Sequence, residues 1–438
     1  MNVGSGRVLR EGWRRRAAAP ANGLPWYGLT IFTFFFVTAR LPELFTEVGI
    51  YLALLGLVLR PQNVSFPTPV RWAVAFVLWA ALTALQAISL ELAWPALIER
   101  LKALVIFFVV VNTLRTPQQL RFFILLILVA FVIYPARGTL LNYVKGERLF
   151  GRAIWNKMYS NPNDLGAITL LMLGLTLAIA TVKAQSVRVR RAATALVPLT
   201  LLIILLTQSR GVFLGLLVGF GPPLWARFRK RPSRTMPVLV ALAVIALLVP
   251  GAAWHRLGSI TNLTETIGKT DKKGALPTPA NRFDEIAADS ARDRFEIMET
   301  GVRIFADNPF VGVGIGCYNE ANVRYAPHLG RRDSHDTYIN LAAETGLPGL
   351  LLWLALVWSV LAQARRCRAR LAADDSVIQF VWIERAIIGF LVAGLFASYS
   401  GLTIFYLVLG TLWAASNVLA RDATAPGTAP ARRVLRAR

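Results

Sequence analysis

Histidine, cysteine and acidic side chains are scarce in this chain: 3 His, 2 Cys, and 24 Asp and Glu against 48 Lys and Arg among 438 residues, leaving a net charge of +24. Each shortage excludes something. Hydropathy puts Cys317 in an outward loop and Cys367 in an inward one, so a membrane separates them and no intrachain disulfide can form. Asp-x-Asp pairs and clustered metal ligands are missing from the outward loops. A site built from Asp333, His335 and Asp336 would place consecutive residues of one helix on diverging sides, which does not make a metal cage. No repeat of 20 to 50 residues is present. No cleavable leader is visible, because the polar, Arg-rich stretch Gly4 to Asn22 runs into a full apolar span that itself serves as the targeting signal.

Apolar sequence is what the chain has in excess. It is 55% hydrophobic, with runs such as Leu196 to Leu206 and Pro237 to Pro250, more than one soluble core needs. The reading is an all-α polytopic membrane protein of about 12 transmembrane helices, near 24–39, 43–59, 72–90, 102–114, 121–135, 164–182, 194–208, 211–226, 236–253, 345–363, 378–398 and 400–419. Basic clusters occupy alternate connections, from Arg7–Arg16 and Arg60/Arg71 through Arg227–Arg234 to Arg365–Arg370 and Arg432–Arg438. Because Lys and Arg beside a span resist translocation, both termini are expected in the cytoplasm. The same strips account for the basic balance through anionic headgroups, which argues against nucleic acid as a partner and for membrane lipids.

The expected organisation is a disordered tail at 1–23, nine helices over 24–253 with a short basic outward loop at 136–163, a large outward helical loop domain at 254–344, three helices over 345–419, and a second tail at 420–438. In the large loop, Gly258 to Asn281 reads as a mobile flap and Asp284 to Ala306 as a helix with an apolar stripe of Ile286, Phe295, Ile297, Met298, Val302, Ile304 and Phe305. The glycines of Asn308 to Gly316 resemble a phosphate loop, but no strand, lysine or ribose-binding acid accompanies them.

The chemistry is expected from few residues. Asp333 or Ser334 is suited to cap a helix entering the membrane, which puts His335 in its first turn. There the positive helix end favours neutral imidazole, a form suited to a general base. Asp333 and Asp336 are near enough to orient the ring, and Tyr338 follows on the same helix. Arg210, in the tight turn Thr207 to Gly211 between two apolar runs, reads either as a snorkelling anchor or as a diphosphate clamp, since guanidinium offers a planar fork of donors. Arg294 reads either as a partner of Asp293 or Glu299 or as a second clamp. Arg137, Lys145, Arg148 and Arg152 make the small outward loop basic against the insertion bias, and an anionic lipid-linked substrate supplies a reason. One base, several cations and no metal cluster fit displacement of a diphosphate leaving group in which arginines take the charge usually borne by a divalent ion.

These residues carry a resemblance. Asn161-Pro-Asn-Asp-Leu-Gly166, Ser209-Arg-Gly211, the pattern from Ser290 through Arg294, Asn308 and Pro309 to Gly316, and His335 to Gly346 together resemble the O-antigen ligase and O-antigen polymerase superfamily of bacterial membrane glycosyltransferases. Asp336 stands where asparagine is common in that family, and Met298 where tryptophan is common. The resemblance implies a cofactor-free, metal-independent, inverting transfer of polysaccharide from undecaprenyl diphosphate to a sugar hydroxyl of lipid A-core, at the periplasmic face of the inner membrane. His335 would be the base, and Arg210 and Arg294 would hold the diphosphate. Polymerases of O-antigen and protein O-oligosaccharyltransferases share this layout. A lipid-linked sugar flippase is the reading from another class, and it would need buried charges along a path, for which Glu384 and Arg385 are the main candidates.

Overall fold

The computed structural model describes residues 23–182, 186–230, 295–370 and 377–422. Among them every regular element is helical, apart from one isolated bridge between Leu149 and Arg152. The chain forms α1 (Leu24–Thr38), α2 (Glu43–Val58), α3 (Thr68–Leu85), α4 (Leu90–Thr113), α5 (Pro117–Phe131), α6 (Arg137–Lys145), α7 (Pro162–Ala180), α8 (Val187–Leu206) and α9 (Arg210–Lys230). Then come α10 (helical over 295–307), α11 (Tyr318–Tyr325), α12 (Thr337–Arg370), α13 (Val377–Ala393) and α14 (Thr403–Asp422). Six of the described helices are long and apolar enough to cross a membrane. The expected span at 236–253, the flap at 258–281, the first half of the loop helix and the outermost parts of both tails lie outside the described residues.

Local chemistry starts these helices. Proline stands in the first turn of α1, α3, α5 and α7, where a missing N–H is not needed. Side-chain oxygens of Ser89, Thr116, Asn161 and Ser186 accept the orphan N–H groups of α4, α5, α7 and α8. The small basic loop expected at 136–163 is in part a helix, since a π-helical turn at Val132–Ala136 carries α5 on into α6. The span expected from residue 345 begins instead with a break, because Gly346 leaves helical geometry at φ 67 and divides α12.

Helix α7 lies at the centre. Fifteen of its 19 residues are buried, and its sequence is apolar all round, as a helix enclosed by other helices must be. It packs on α8, α9, α13 and α14. Close approach of α9 to α13 depends on Gly215, where a Cβ would fall 2.2 Å from Gly389 O. The start of α7 therefore emerges in the middle of one end of the bundle, among the α8–α9 turn, the start of α12 and the α13–α14 connection. At the opposite end Arg115 ties the α4–α5 turn to the α2–α3 turn by donating to Asn63 O at 2.6 Å. Glu384, 1% exposed, receives Arg365 and Arg368 rather than its neighbour Arg385, so the buried charge is closed into an ion pair between α12 and α13.

Candidate active site

Four segments meet at the end of the bundle where α7 starts. Asn161–Asp164 opens α7, Thr207–Arg210 joins α8 to α9, Asp333–Asp336 precedes α12, and residues 394–402 join α13 to α14. Tyr399 ties two of them together, donating its hydroxyl to Asn163 O at 3.0 Å and its N–H to Thr337 Oγ1 at 2.9 Å. Thr337 in turn donates to Ala397 O, and its N–H to Gly394 O, both at 2.7 Å. Arg152 ties another pair, with Nε on Thr207 O at 2.7 Å and Nη2 on Asn163 Oδ1 at 2.6 Å.

The segment around His335 is bonded on both sides. Ser398 Oγ donates to Asp333 Oδ1 at 3.0 Å, and Asn340 Nδ2 lies 3.4 Å from the same oxygen. Ser334 Oγ donates to Asp336 O at 2.8 Å and lies 3.2 Å from Ser398 Oγ. The helix cap is Asp336, not Asp333 or Ser334: its Oδ1 accepts the N–H groups of Tyr338 and Ile339, both at 2.8 Å. His335 consequently precedes the cap instead of sitting in the first turn. Burial raises the Asp336 carboxyl above its ordinary range, while those two N–H bonds draw it back down. Tyr338 donates to Leu391 O at 2.8 Å and so anchors α12 to α13.

Backbone strain gathers at this end. Ala39, Phe150, Lys157, Gln208 and His335 are the described non-glycine residues with positive φ, and all five stand in its connections. The left-handed region costs an ordinary side chain roughly 1–2 kcal/mol. At His335, φ 53 is held by the Ser334 and Asp336 bonds on either side. Such outliers persist where surrounding structure over-determines them, and they collect at working sites. His328, in contrast, is exposed on the loop and pairs with Glu296 of α10.

The electrostatics follow from helix direction. α7, α9, α12 and α14 all begin here, so four positive helix ends converge. α8 and α13 end beside them, but their terminal carbonyls are covered: Leu206 O by Ala153 N–H, Thr207 O by Arg152 and Gly394 O by Thr337 N–H. Asp164 and Asp333 are close enough to repel one another. Anchored carboxylates thus stand beside converging positive helix ends, with Arg210 at the start of α9. Arg210 packs next to the α13–α14 connection, since a Cβ on Gly211 would lie 2.6 Å from the side chain of Phe396.

The remaining expected residues fall around this cluster. Arg294 lies outside the described residues. Arg137, Lys145 and Arg148 are exposed on α6 and the hairpin after it, where Arg148 lies 4.0 Å from the Tyr143 ring centre and donates to Tyr143 O. Arg152 is buried and spans two motifs. On α10 the expected apolar stripe is only partly inside: Ile297 and Ile304 are buried, whereas Phe295 and Val302 face outward.

Sequence reasoning missed Tyr399 and Ser398, and it set Glu344 aside as lying too far along the helix to touch His335. The polar run Ser398-Tyr-Ser-Gly401 between two apolar spans was the available signal for the first two. Glu344 is buried, and its carboxylate accepts the N–H groups of Gly316 and Tyr318, placing negative charge at the start of α11. Gly312, Gly314 and Gly316 have φ of 72, 100 and 76 and press against Glu344, Ala87 and Ala96, so the glycines serve close packing. Glu344→Ala would orphan two buried N–H groups. A loss of about 2–4 kcal/mol is expected and would appear as a lower thermal midpoint in detergent; an unchanged midpoint would remove Glu344 from this role.

Among the described residues no group of three or more His, Cys, Asp or Glu is arranged to hold a metal ion. Cys317 and Cys367 are both free and buried, and burial raises the Cys317 thiol. The fold and site together define a helical membrane protein with a strained, polar, histidine-bearing cluster at one end. Residues 193–354 match the family model described as O-antigen ligase. That stretch contains the Arg210 turn, the glycine loop and the His335 segment, and excludes Asn161–Asp164 and the α6 arm. No curated protein matches.

Proposed function

We propose that the protein is an O-antigen ligase, transferring polysaccharide from undecaprenyl diphosphate to a sugar hydroxyl of lipid A-core at the periplasmic face of the inner membrane. The observation that carries this reading is His335, held in a left-handed backbone one residue ahead of the α12 cap and joined through the 394–402 connection to the start of α9, where Arg210 stands. The acceptor hydroxyl gives its proton to His335 as its oxygen attacks the anomeric carbon. The bond from that carbon to the diphosphate oxygen breaks, and Arg210, Arg294 and the positive end of α9 take the charge. Attack from the opposite face inverts the anomeric carbon, and the activated donor supplies the energy without cofactor or metal.

Both termini then face the cytoplasm, as the basic clusters in alternate connections favour. The lipopolysaccharide of a deletion strain tests the reading. Bare lipid A-core, with lipid-linked polymer accumulating and wild-type complementation restoring the ladder, is expected. Core capped with one repeat unit would make the protein a polymerase with the same chemistry, and an unchanged ladder would direct attention to a protein acceptor or to transport.

A further inference from the structure

The arm formed by α6 and the hairpin after it is built in a way that folding alone does not explain. Leu149 and Arg152 exchange both backbone hydrogen bonds at 3.0 Å, leaving Phe150 and Gly151 as a two-residue turn with φ of 51 and 75. The first position of such a turn favours Asn, Asp or Gly. Phe150 opposes the turn and recovers nothing by burial, since it is 86% exposed. On α6, Arg137, Leu141, Val144 and Lys145 share one stripe by spacing, and all four are exposed. An apolar surface flanked by cations is the pattern of a group that meets a charged head and a hydrocarbon chain together.

The arm is also fixed beside the site. Gly138 packs against Trp155, and the hairpin docks on the α8–α9 turn through Ala153 N–H to Leu206 O, Gln208 Nε2 to Gly151 O and Arg152 to Thr207 O. Its tip is therefore held next to the turn that carries Arg210. We infer that Phe150, with Leu141 and Val144, binds the isoprenoid chain of a phosphate-headed lipid, while the arm's cations meet its phosphate. This assignment rests on the transfer reading above and names the part of the protein that would recognise the lipid half of the donor.

The test uses the full-length protein in phosphatidylcholine nanodiscs, with undecaprenyl phosphate and phosphatidylglycerol as separate probes. Phe150→Asn installs the residue the turn prefers, so its thermal midpoint is expected to stay or rise. Its affinity for undecaprenyl phosphate is expected to fall about 10-fold, the size expected from losing a partly buried aromatic contact, with phosphatidylglycerol binding unchanged. Wild-type affinity for undecaprenyl phosphate in this variant would overturn the inference. An equal loss for both probes would also overturn it and make the arm a general bilayer anchor. If the wild-type protein transfers no polysaccharide while Phe150→Asn still loses undecaprenyl phosphate, the transfer reading falls and the lipid site stands.

Discussion

The His335→Ala protein is expected to reach the membrane at the wild-type level, bind the lipid-linked donor and transfer polysaccharide about 10²–10⁴-fold more slowly, the usual contribution of a positioned general base. The reason is specific to this segment. The hydrogen bonds that Asp333, Ser334, Asp336 and Ser398 make to one another and to the α12 backbone do not run through the imidazole, so these bonds persist when the ring is removed. Alanine still has to occupy φ 53, and any strain reappears as a small loss of stability rather than as loss of turnover. His335→Asn separates the two effects, because asparagine tolerates the left-handed region and supplies no base. Wild-type turnover in either variant would end the assignment of His335. His328→Ala, removing the exposed pair with Glu296, is the matched control and should leave turnover intact.

Arg210→Lys carries the second large expectation, a fall in kcat/KM of about 100-fold or more with the charge preserved. A guanidinium presents two parallel donors to neighbouring phosphate oxygens, whereas an ammonium is a point charge that cannot hold the diphosphate in one orientation. Arg210 opens α9, so its charge adds to the positive helix end. A change in kcat without a matching change in KM would place the contact in the transition state, and a rise in KM alone would place it in ground-state binding. Full activity with lysine would return Arg210 to the role of a membrane-surface anchor.

Several features of this architecture were legible in the residues because they depend on local chemistry. Apolar runs bounded by proline, serine, threonine and asparagine produced α5, α7 and α8 close to where hydropathy places them. The glycines before Cys317 were separable from a phosphate loop by what they lacked, and their close approach to Glu344, Ala87 and Ala96 explains them as a packing device. Misplacement began where two local readings competed. Asp333, Ser334 and Asp336 are all good caps, and only the bonds of Ser398 to Asp333 and to Ser334 leave Asp336 as the one whose carboxylate meets the helix N–H groups. Arg152 looks like its basic neighbours until the fold brings Thr207 and Asn163 to it from other helices.

By itself, the sequence determined that the chain is helical and membrane-embedded, and that His335 and Arg210 stand at helix boundaries. Hydropathy, insertion bias and capping are properties of neighbouring residues and survive without a tertiary fold. Only the tertiary structure decided that four connections distant in the chain share one end of α7, that Tyr399 and Arg152 bind them together, and that His335 is held ahead of its helix rather than in it. Those outcomes depend on which carbonyls and hydroxyls packing brings within hydrogen-bond reach, and burial away from water makes leaving such groups unpaired costly enough to select one arrangement.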